Sequence, residues 1–186
     1  MLPEEARVEL LSIARRTIEG FLRDGHAPAL VPRHPTLIEK RGAFVTLHAG
    51  DELRGCIGHT QARHPLWETV RDVAVLAATD DPRFEPMTPE ELGRVRIEIS
   101  VLSPMERVPD PAAIRVGTHG LYVKRGMHSG LLLPQVAPEW GWNREEFIEH
   151  TCRKADLPRD AWKDPKSELF WFTAEVFGEP RLEARP

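Results

Sequence analysis

Helical and strand periodicities follow one another in an irregular order along this chain, and that order restricts the fold class. Helical spacing of apolar residues covers 3–24, 65–79 and a segment from Asn143, while strand-like alternation covers 43–60, 95–102 and 169–177. Glycines separate several shorter strand-like pieces between 114 and 133. A doubly wound parallel sheet needs regular strand–helix alternation, which this chain lacks. The sequence therefore predicts an α+β fold with mostly antiparallel pairing.

The length of 186 residues suits one domain over 1–186, with a polar tail over about 178–186 that we expect to be frayed. Cys56 and Cys152 lie far apart and form no CxxC pair, so neither a disulfide framework nor a zinc ribbon is indicated. A chain of this size needs no such staple. Two free cysteines favour a reducing, cytoplasmic location.

The charge pattern excludes two classes of partner. A net charge of −4 and an isoelectric point of about 6.1 leave no basic excess to neutralise nucleic-acid phosphates or an anionic membrane surface. No apolar run approaches the roughly 18 residues of a membrane-spanning helix. We therefore expect neither nucleic acid nor membrane as a partner.

Residues Leu53–Gly58, with the sequence LRGCIG, form the most unusual local feature. Two glycines around one cysteine in a strand indicate a bulge or a close backbone approach. In a regular strand Arg54 shares a face with Cys56, where its charge favours the thiolate, and Gly58 leaves open space beside the sulfur. The alternative is that Cys56 packs as a small apolar residue in the core.

Together with other segments, this motif resembles the AMMECR-domain family, and within it the bacterial and archaeal group called AmmeMemoRadiSam system protein A. The resemblance rests on motifs in the same order along the chain, at residues 53–58, 81–84, 97–102, 119–121, 131–137 and 147–155. It implies an antiparallel sheet flanked by helices, with a smaller β-rich lobe. It also implies association with a Memo-like protein and a radical-SAM protein, but it supplies no reaction.

The resemblance marks Arg54, Gly55, Cys56 and Gly58 as site residues, followed by His119 and the Pro134-Gln135 turn. His119 is a candidate base for Cys56, with a structural hydrogen-bonding role as the alternative. Gln135 could orient an amide or carbonyl of a ligand, or it could satisfy nearby backbone groups.

No cofactor is expected, because the glycines match no phosphate-binding or dinucleotide-binding pattern. Cys56, His59 and His64 make only a loose metal-ligand set, and His59 points away from Cys56 in a regular strand, so we expect no metal site.

Two hypotheses follow. In the first, Cys56 is the candidate nucleophile of a pocket for an unknown small molecule, Arg54 holds an anionic group, Gly55 and Gly58 admit the ligand, and His119 moves the proton. In the second, the chain is a non-catalytic binding module or accessory subunit that docks the Memo-like and radical-SAM partners. The residues alone do not decide whether the protein is an enzyme.

Overall fold

The computed structural model describes residues 1–180. In chain order its main elements are α1 (Glu4–Asp24), β1 (Ala43–Ala49), β2 (Glu52–His59), α2 (Leu66–Thr79), β3 (Val95–Leu102), β4 (Glu106–Arg107), β5 (Gly120–Arg125), β6 (His128–Leu132), α3 (Val136–Trp140), α4 (Arg144–Lys154), β7 (Glu168–Phe172) and β8 (Ala174–Gly178). They divide into two compact units, one of residues 1–102 with 175–180 and one of residues 103–174. The predicted α+β class is confirmed.

The first unit is a four-stranded sheet with strand order β2-β1-β3-β8, in which β1 pairs antiparallel with both β2 and β3. Alternating residues of β1 and β3, such as Val45, Leu47, Ile97 and Ile99, are fully buried. They join the apolar stripes of α1 and α2 in one core cluster. Each such side chain contributes about 1.5–3 kcal/mol on burial, so this face of the sheet is committed to packing.

Glu179, the residue after β8, is held on this unit by several hydrogen bonds. Its carboxylate accepts from the Arg15 guanidinium, with Nε to Oε1 at 2.9 Å, and from the Ile97 N–H at 2.8 Å. Its own N–H donates to the Ile97 carbonyl at 2.9 Å. The remainder of the tail predicted to be frayed, residues 181–186, lies outside the described residues.

The second, smaller unit is a four-stranded sheet with order β4-β7-β5-β6, and α4 packs against β5 and β6. The spacing of Asn143 and Glu146 predicts a capping box, and it begins α4. Asn143 Oδ1 accepts from the Glu146 N–H at 3.1 Å, and the Glu146 carboxylate accepts from the Asn143 N–H at 2.8 Å. Cys152 is fully buried in the core of this unit, as its place on the apolar stripe of the helix predicts.

Two local expectations are wrong. The predicted strand over 169–177 is interrupted at Thr173 into β7 and β8, which belong to different sheets. The spacing of Thr88-Pro89-Glu90-Glu91 is typical of a capping box and predicts a helix that begins there, but in the structure a single 3₁₀ turn over Leu92–Arg94 follows Thr88. No helix in residues 1–180 is both long enough and apolar enough to cross a lipid bilayer.

Candidate functional site

The Leu53–Gly58 motif lies on β2, an edge strand of the first sheet. Leu47 of β1 pairs with Gly55, and the next residue, His48, pairs with Leu53, so β2 carries one extra residue. That residue is Arg54, at a β-bulge of the kind that glycine in a strand indicates. The alternation of side chains between the two faces of β2 is therefore broken at Arg54. The prediction that Arg54 shares a face with Cys56 assumed a regular strand, and the strand is not regular at this residue.

Arg54 binds the loop that follows α2. Its Nε donates to Glu91 Oε1 at 2.9 Å, and its Nη2 donates to Glu91 Oε2 at 3.2 Å and to the Glu85 carbonyl at 3.0 Å. The hydrogen bond from Arg54 lowers the pKa of Glu91, so both groups are charged at neutral pH. The guanidinium is thus engaged by a carboxylate, and it is not the group that acts on the thiol.

Asp81, from the same loop, closes part of the free edge of β2. Its side chain is 2% exposed, and its Oδ2 accepts from the Cys56 N–H at 2.8 Å. Arg83 donates from Nε to Oδ1 at 2.9 Å and from Nη2 to Oδ2 at 2.7 Å, and this pairing holds the pKa of Asp81 well below its usual range. An ionised carboxylate here satisfies an edge N–H and blocks pairing with a foreign strand.

The Cys56 thiol is half-buried and protonated at neutral pH. Burial raises its pKa above the ordinary value, and two neighbours offset that rise in part. Thr46 Oγ1 donates a hydrogen bond to Sγ at 3.3 Å, and Arg83 contributes a nearby positive charge. The thiolate expected from Arg54 is therefore not the resting form, and the relevant cation is Arg83.

Cys56 belongs to a row of polar side chains on the sheet face opposite α1 and α2. Thr46 pairs with Cys56 on one side and with Glu98 on the other, so hydroxyl, thiol and carboxylate lie side by side on three strands. We call this surface the polar face; it consists of Phe44, Thr46, His48, Cys56, Arg96, Glu98 and Ser100. Arg96 lies opposite His48, and its Nη1 is 3.5 Å from Glu98 Oε2.

One group of the polar face is buried without a hydrogen-bond partner. His48 Nε2 has none in the described part of the chain, and it lies 3.7 Å from Glu98 Oε1. The Ser100 hydroxyl, opposite Phe44, also makes no hydrogen bond within residues 1–180, but its oxygen is not sealed within the protein. Buried polar groups in native proteins are nearly always satisfied, so His48 Nε2 marks a place where a ligand can bind.

The two glycines of the motif make close contacts within the protein. A Cβ on Gly55 would lie 2.1 Å from the Ala77 carbonyl oxygen of α2. A Cβ on Gly58 would lie 2.2 Å from the Phe44 ring and 2.7 Å from the Ala43 carbonyl oxygen. The close backbone approach predicted from the glycines is present, but its partners are α2 and Phe44. The open space expected at Gly58 is occupied by the Phe44 ring.

The other two predicted site residues, His119 and Gln135, belong to the second unit. His119 is 8% exposed, and its ring contacts Trp171 in a tilted arrangement, with 4.5 Å between centroids and 47° between planes. Its Nδ1 accepts from the Arg115 N–H at 3.2 Å. Burial lowers its pKa, so the ring is neutral with its proton on Nε2. This tautomer can donate a hydrogen bond from Nε2, but it has no free nitrogen to accept a proton.

Gln135 immediately precedes α3, and its main-chain carbonyl accepts from the Glu139 N–H at 3.1 Å. Its side-chain amide has no hydrogen bond to any described residue, so that amide stays available to a ligand.

The loose metal set of the sequence analysis is not assembled. Across residues 1–180, no three His, Cys, Asp or Glu side chains are arranged to hold a metal ion. His64 lies 3.9 Å from Glu68 on the following helix.

Sequence reasoning missed most of the residues that surround Cys56. The alternation of β1 and β3 places Thr46, His48 and Glu98 on polar strand faces, but it does not show that these strands are neighbours. Asp81 and Arg83 lie about 25 residues beyond Cys56, in a segment that resembles a solvated loop. The family resemblance includes both segments, and it is the signal that could have joined them.

Comparisons with known proteins agree on one family. Residues 11–177 match the family model described as AMMECR1. A Thermococcus kodakarensis protein named Protein TK0174 is 46% identical over 183 residues, covering 91% of this chain and 88% of that one. A Methanothermobacter thermautotrophicus protein is 47% identical over 177 residues, covering 91% and 92%.

A solved structure gives the same result for the fold. The crystal structure of Uncharacterized Protein PH0010 from Pyrococcus horikoshii superposes with a TM-score of 0.90 at 42% sequence identity. The match covers 97% of this chain and 94% of that one.

Proposed function

Because this chain belongs to the AMMECR1 family, we propose that it is a cytoplasmic protein that binds a small polar ligand at the polar face. Cys56 is the candidate nucleophile of this site. The ligand site still includes Cys56, as the sequence predicts, but the residues proposed to contact the ligand are different. Thr46, His48 and Glu98 surround the ligand, while Arg54 and Gly55 maintain the strand that carries the thiol.

The observation that carries this proposal is the buried Nε2 of His48, which has no hydrogen-bond partner in the described part of the chain and lies on the face that carries the thiol. A buried imidazole nitrogen without a partner costs about 1–3 kcal/mol. A ligand that forms a hydrogen bond to this nitrogen would remove that cost.

Covalent chemistry at Cys56 requires a base, because the resting sulfur is protonated. As the sulfur adds to an electrophilic carbonyl carbon of the ligand, the electron pair of the C=O π bond moves to the carbonyl oxygen and the thiol proton passes to that base. His48 is the imidazole on this face. The Glu98 carboxylate lies 3.7 Å from His48 Nε2 and also 3.5 Å from Arg96 Nη1, and its charge would stabilise the imidazolium that forms. The His119 tautomer favours hydrogen-bond donation over proton removal, so His119 is not the base of this step.

The first test is the rate at which iodoacetamide alkylates the native protein, followed site by site by mass spectrometry between pH 6 and 9. We expect Cys56 to react faster than Cys152, which is 0% exposed and serves as an internal control. The rate at Cys56 should rise with pH throughout this range. Thr46→Val should slow it about two- to fivefold at pH 8, because the lost hydrogen bond raises the thiol pKa while thiolate nucleophilicity partly compensates.

If Cys56 stays unmodified in native protein while urea-unfolded protein is fully alkylated, the nucleophile proposal fails. An unchanged rate in Thr46→Val would show that the hydroxyl does not tune the sulfur.

A second candidate function is the non-catalytic module that docks Memo-like and radical-SAM partners. The raised pKa of Cys56 favours it, because a protonated thiol is a poor nucleophile and binding does not require the thiolate. Exposed apolar side chains also favour it: Val8 and Ile38 are each 61% exposed and Val31 is 85% exposed. A pull-down with purified partners separates the readings. Retention by both the native protein and Cys56→Ser supports docking, and loss of retention only in Cys56→Ser links the partners to the thiol.

A further inference from the structure

A cavity of about 420 Å³ lies beyond the end of β2, beside the first turns of α2. We call it the α2 pocket; its lining residues are Gly58, His59, Thr60, Gln61, Arg63, His64, Thr69 and Asp72. It is separate from the polar face. None of its lining residues belongs to the polar face, and Gly58 is the one residue of the Leu53–Gly58 motif that lines it.

One buried hydroxyl opens into the α2 pocket without a partner. Thr69 is 5% exposed, and its side chain makes no hydrogen bond with any of residues 1–180. Its backbone N–H is already used, because it donates to the Pro65 carbonyl at 3.0 Å. The side chain is nineteen-twentieths buried, but its oxygen is not sealed within the protein, so the cavity is where a partner for this hydroxyl can lie.

The charges around the α2 pocket favour an anion. Arg63 is exposed and has no acidic partner in the described part of the chain. The acids nearby are already engaged: Asp72 accepts from Arg71 Nε at 2.8 Å, and Glu68 faces His64 at 3.9 Å. A guanidinium offers up to five N–H donors, and hydroxyls add further donors. The open groups of the pocket therefore need acceptors.

We propose that the α2 pocket binds a small oxyanion, the phosphate or carboxylate group of a small molecule. Arg63 supplies the charge and the two-pronged hydrogen bonding that such a group prefers, and the Thr69 hydroxyl fixes its orientation at the pocket floor. This site does not depend on Cys56, so it can exist whether or not the polar face is catalytic.

The test is isothermal titration of the full chain with inorganic phosphate and, separately, with acetate, in a low-chloride buffer. We expect saturable binding of one anion in the millimolar range or tighter. Arg63→Gln should weaken it at least about tenfold, since a charge-assisted pair is lost. Thr69→Val, which keeps the side-chain shape, should weaken it by about three- to tenfold. Arg94→Gln is the matched control, because Arg94 is also exposed and lies outside the pocket.

Saturation by phosphate alone assigns a phosphoryl group, and saturation by acetate alone assigns a carboxylate. Saturation by neither anion overturns the proposal, as does binding that is equally strong in Arg63→Gln and Arg94→Gln. Arg63 lies on the surface, so its variant remains informative even if Thr69→Val fails to fold, which circular dichroism would reveal.

Discussion

Gly55→Ala tests whether the glycine of the motif is there for packing or for a ligand. The added Cβ would lie 2.1 Å from the Ala77 carbonyl oxygen and 3.2 Å from its carbonyl carbon. Carbon and oxygen atoms normally approach to about 3.3 Å, so β2 and α2 must move apart by roughly 1.2 Å. The obstacle is helix backbone in a committed core, so no rotamer change can relieve it.

The expected cost lies at the upper end of overpacking effects, about 3 kcal/mol. For a chain of this length, each kcal/mol lowers the midpoint of thermal unfolding by about 2–4 °C. We therefore expect Gly55→Ala to unfold about 6–12 °C below the native protein. A ligand role alone would leave the ligand-free protein unchanged.

The assay is thermal unfolding followed by far-ultraviolet circular dichroism, with Gly93→Ala as the matched control. No atom lies within 4 Å of a Cβ built on Gly93, so that variant should stay within about 0.5 kcal/mol of the native protein. A Gly55→Ala midpoint within about 2 °C of the native value would refute the packing argument.

Two further substitutions test other contacts. Asp81→Asn should cost about 2 kcal/mol at pH 7, because it weakens the Arg83 pair and the bond to the Cys56 N–H. Folding lowers the pKa of Asp81, so the stabilisation from its carboxylate is present above about pH 4 and is lost as the pH falls further. In urea unfolding, the difference in free energy of unfolding between Asp81→Asn and the native protein should therefore be smaller at pH 3 than at pH 7. An equal difference at both pH values would contradict this explanation. Asn143→Ala removes the capping box of α4 and should cost about 1 kcal/mol in the same assay, whereas an unchanged urea midpoint would show that the cap is dispensable.

Patterns set by neighbouring residues were the predictable part of the fold. The alternation of β3 depends on a period of two residues, and the structure has it at Val95, Ile97, Ile99 and Val101. The capping box of α4 depends on the three-residue spacing of Asn143 and Glu146, and it is present too. Gly25 ends α1 in the left-handed conformation at φ 76°, as a glycine after an apolar stripe predicts. In each case the decisive contacts lie within a few residues.

Where distant residues decide, the sequence pattern misled. Residues 169–177 are continuously β-prone, but the Thr173 N–H donates to Ser103 Oγ at 2.9 Å and the Ser103 N–H donates to the Thr173 carbonyl at 2.9 Å. That mutual pairing interrupts the run. At Thr88 the reciprocal acid is present, since Glu91 accepts from the Thr88 N–H at 2.8 Å, yet Arg54 also binds Glu91, and only a 3₁₀ turn follows.

The position of Arg54 was unpredictable for a related reason. A bulge changes the face on which a side chain of the strand lies, and it leaves no mark in the amino-acid composition. The glycine that permits the bulge is also compatible with several other roles. The polar face likewise depends on the order of strands in the sheet, which places β1 between β2 and β3. Periodicity supplied its residues, and only the topology brought them together.

The contacts around β2 divide the motif into parts with different physical purposes. Gly55 and Gly58 permit close packing, and Arg54 ties down the loop that carries Asp81. Asp81 in turn caps the backbone of the edge strand. Every one of these features has a structural cause, so none of them requires catalysis. The Cys56 sulfur is different, because packing alone does not require a thiol beside a hydroxyl and a carboxylate. A function therefore belongs at the polar face, where His48 Nε2 stays buried without a partner in the described part of the chain after the requirements of the fold have been met.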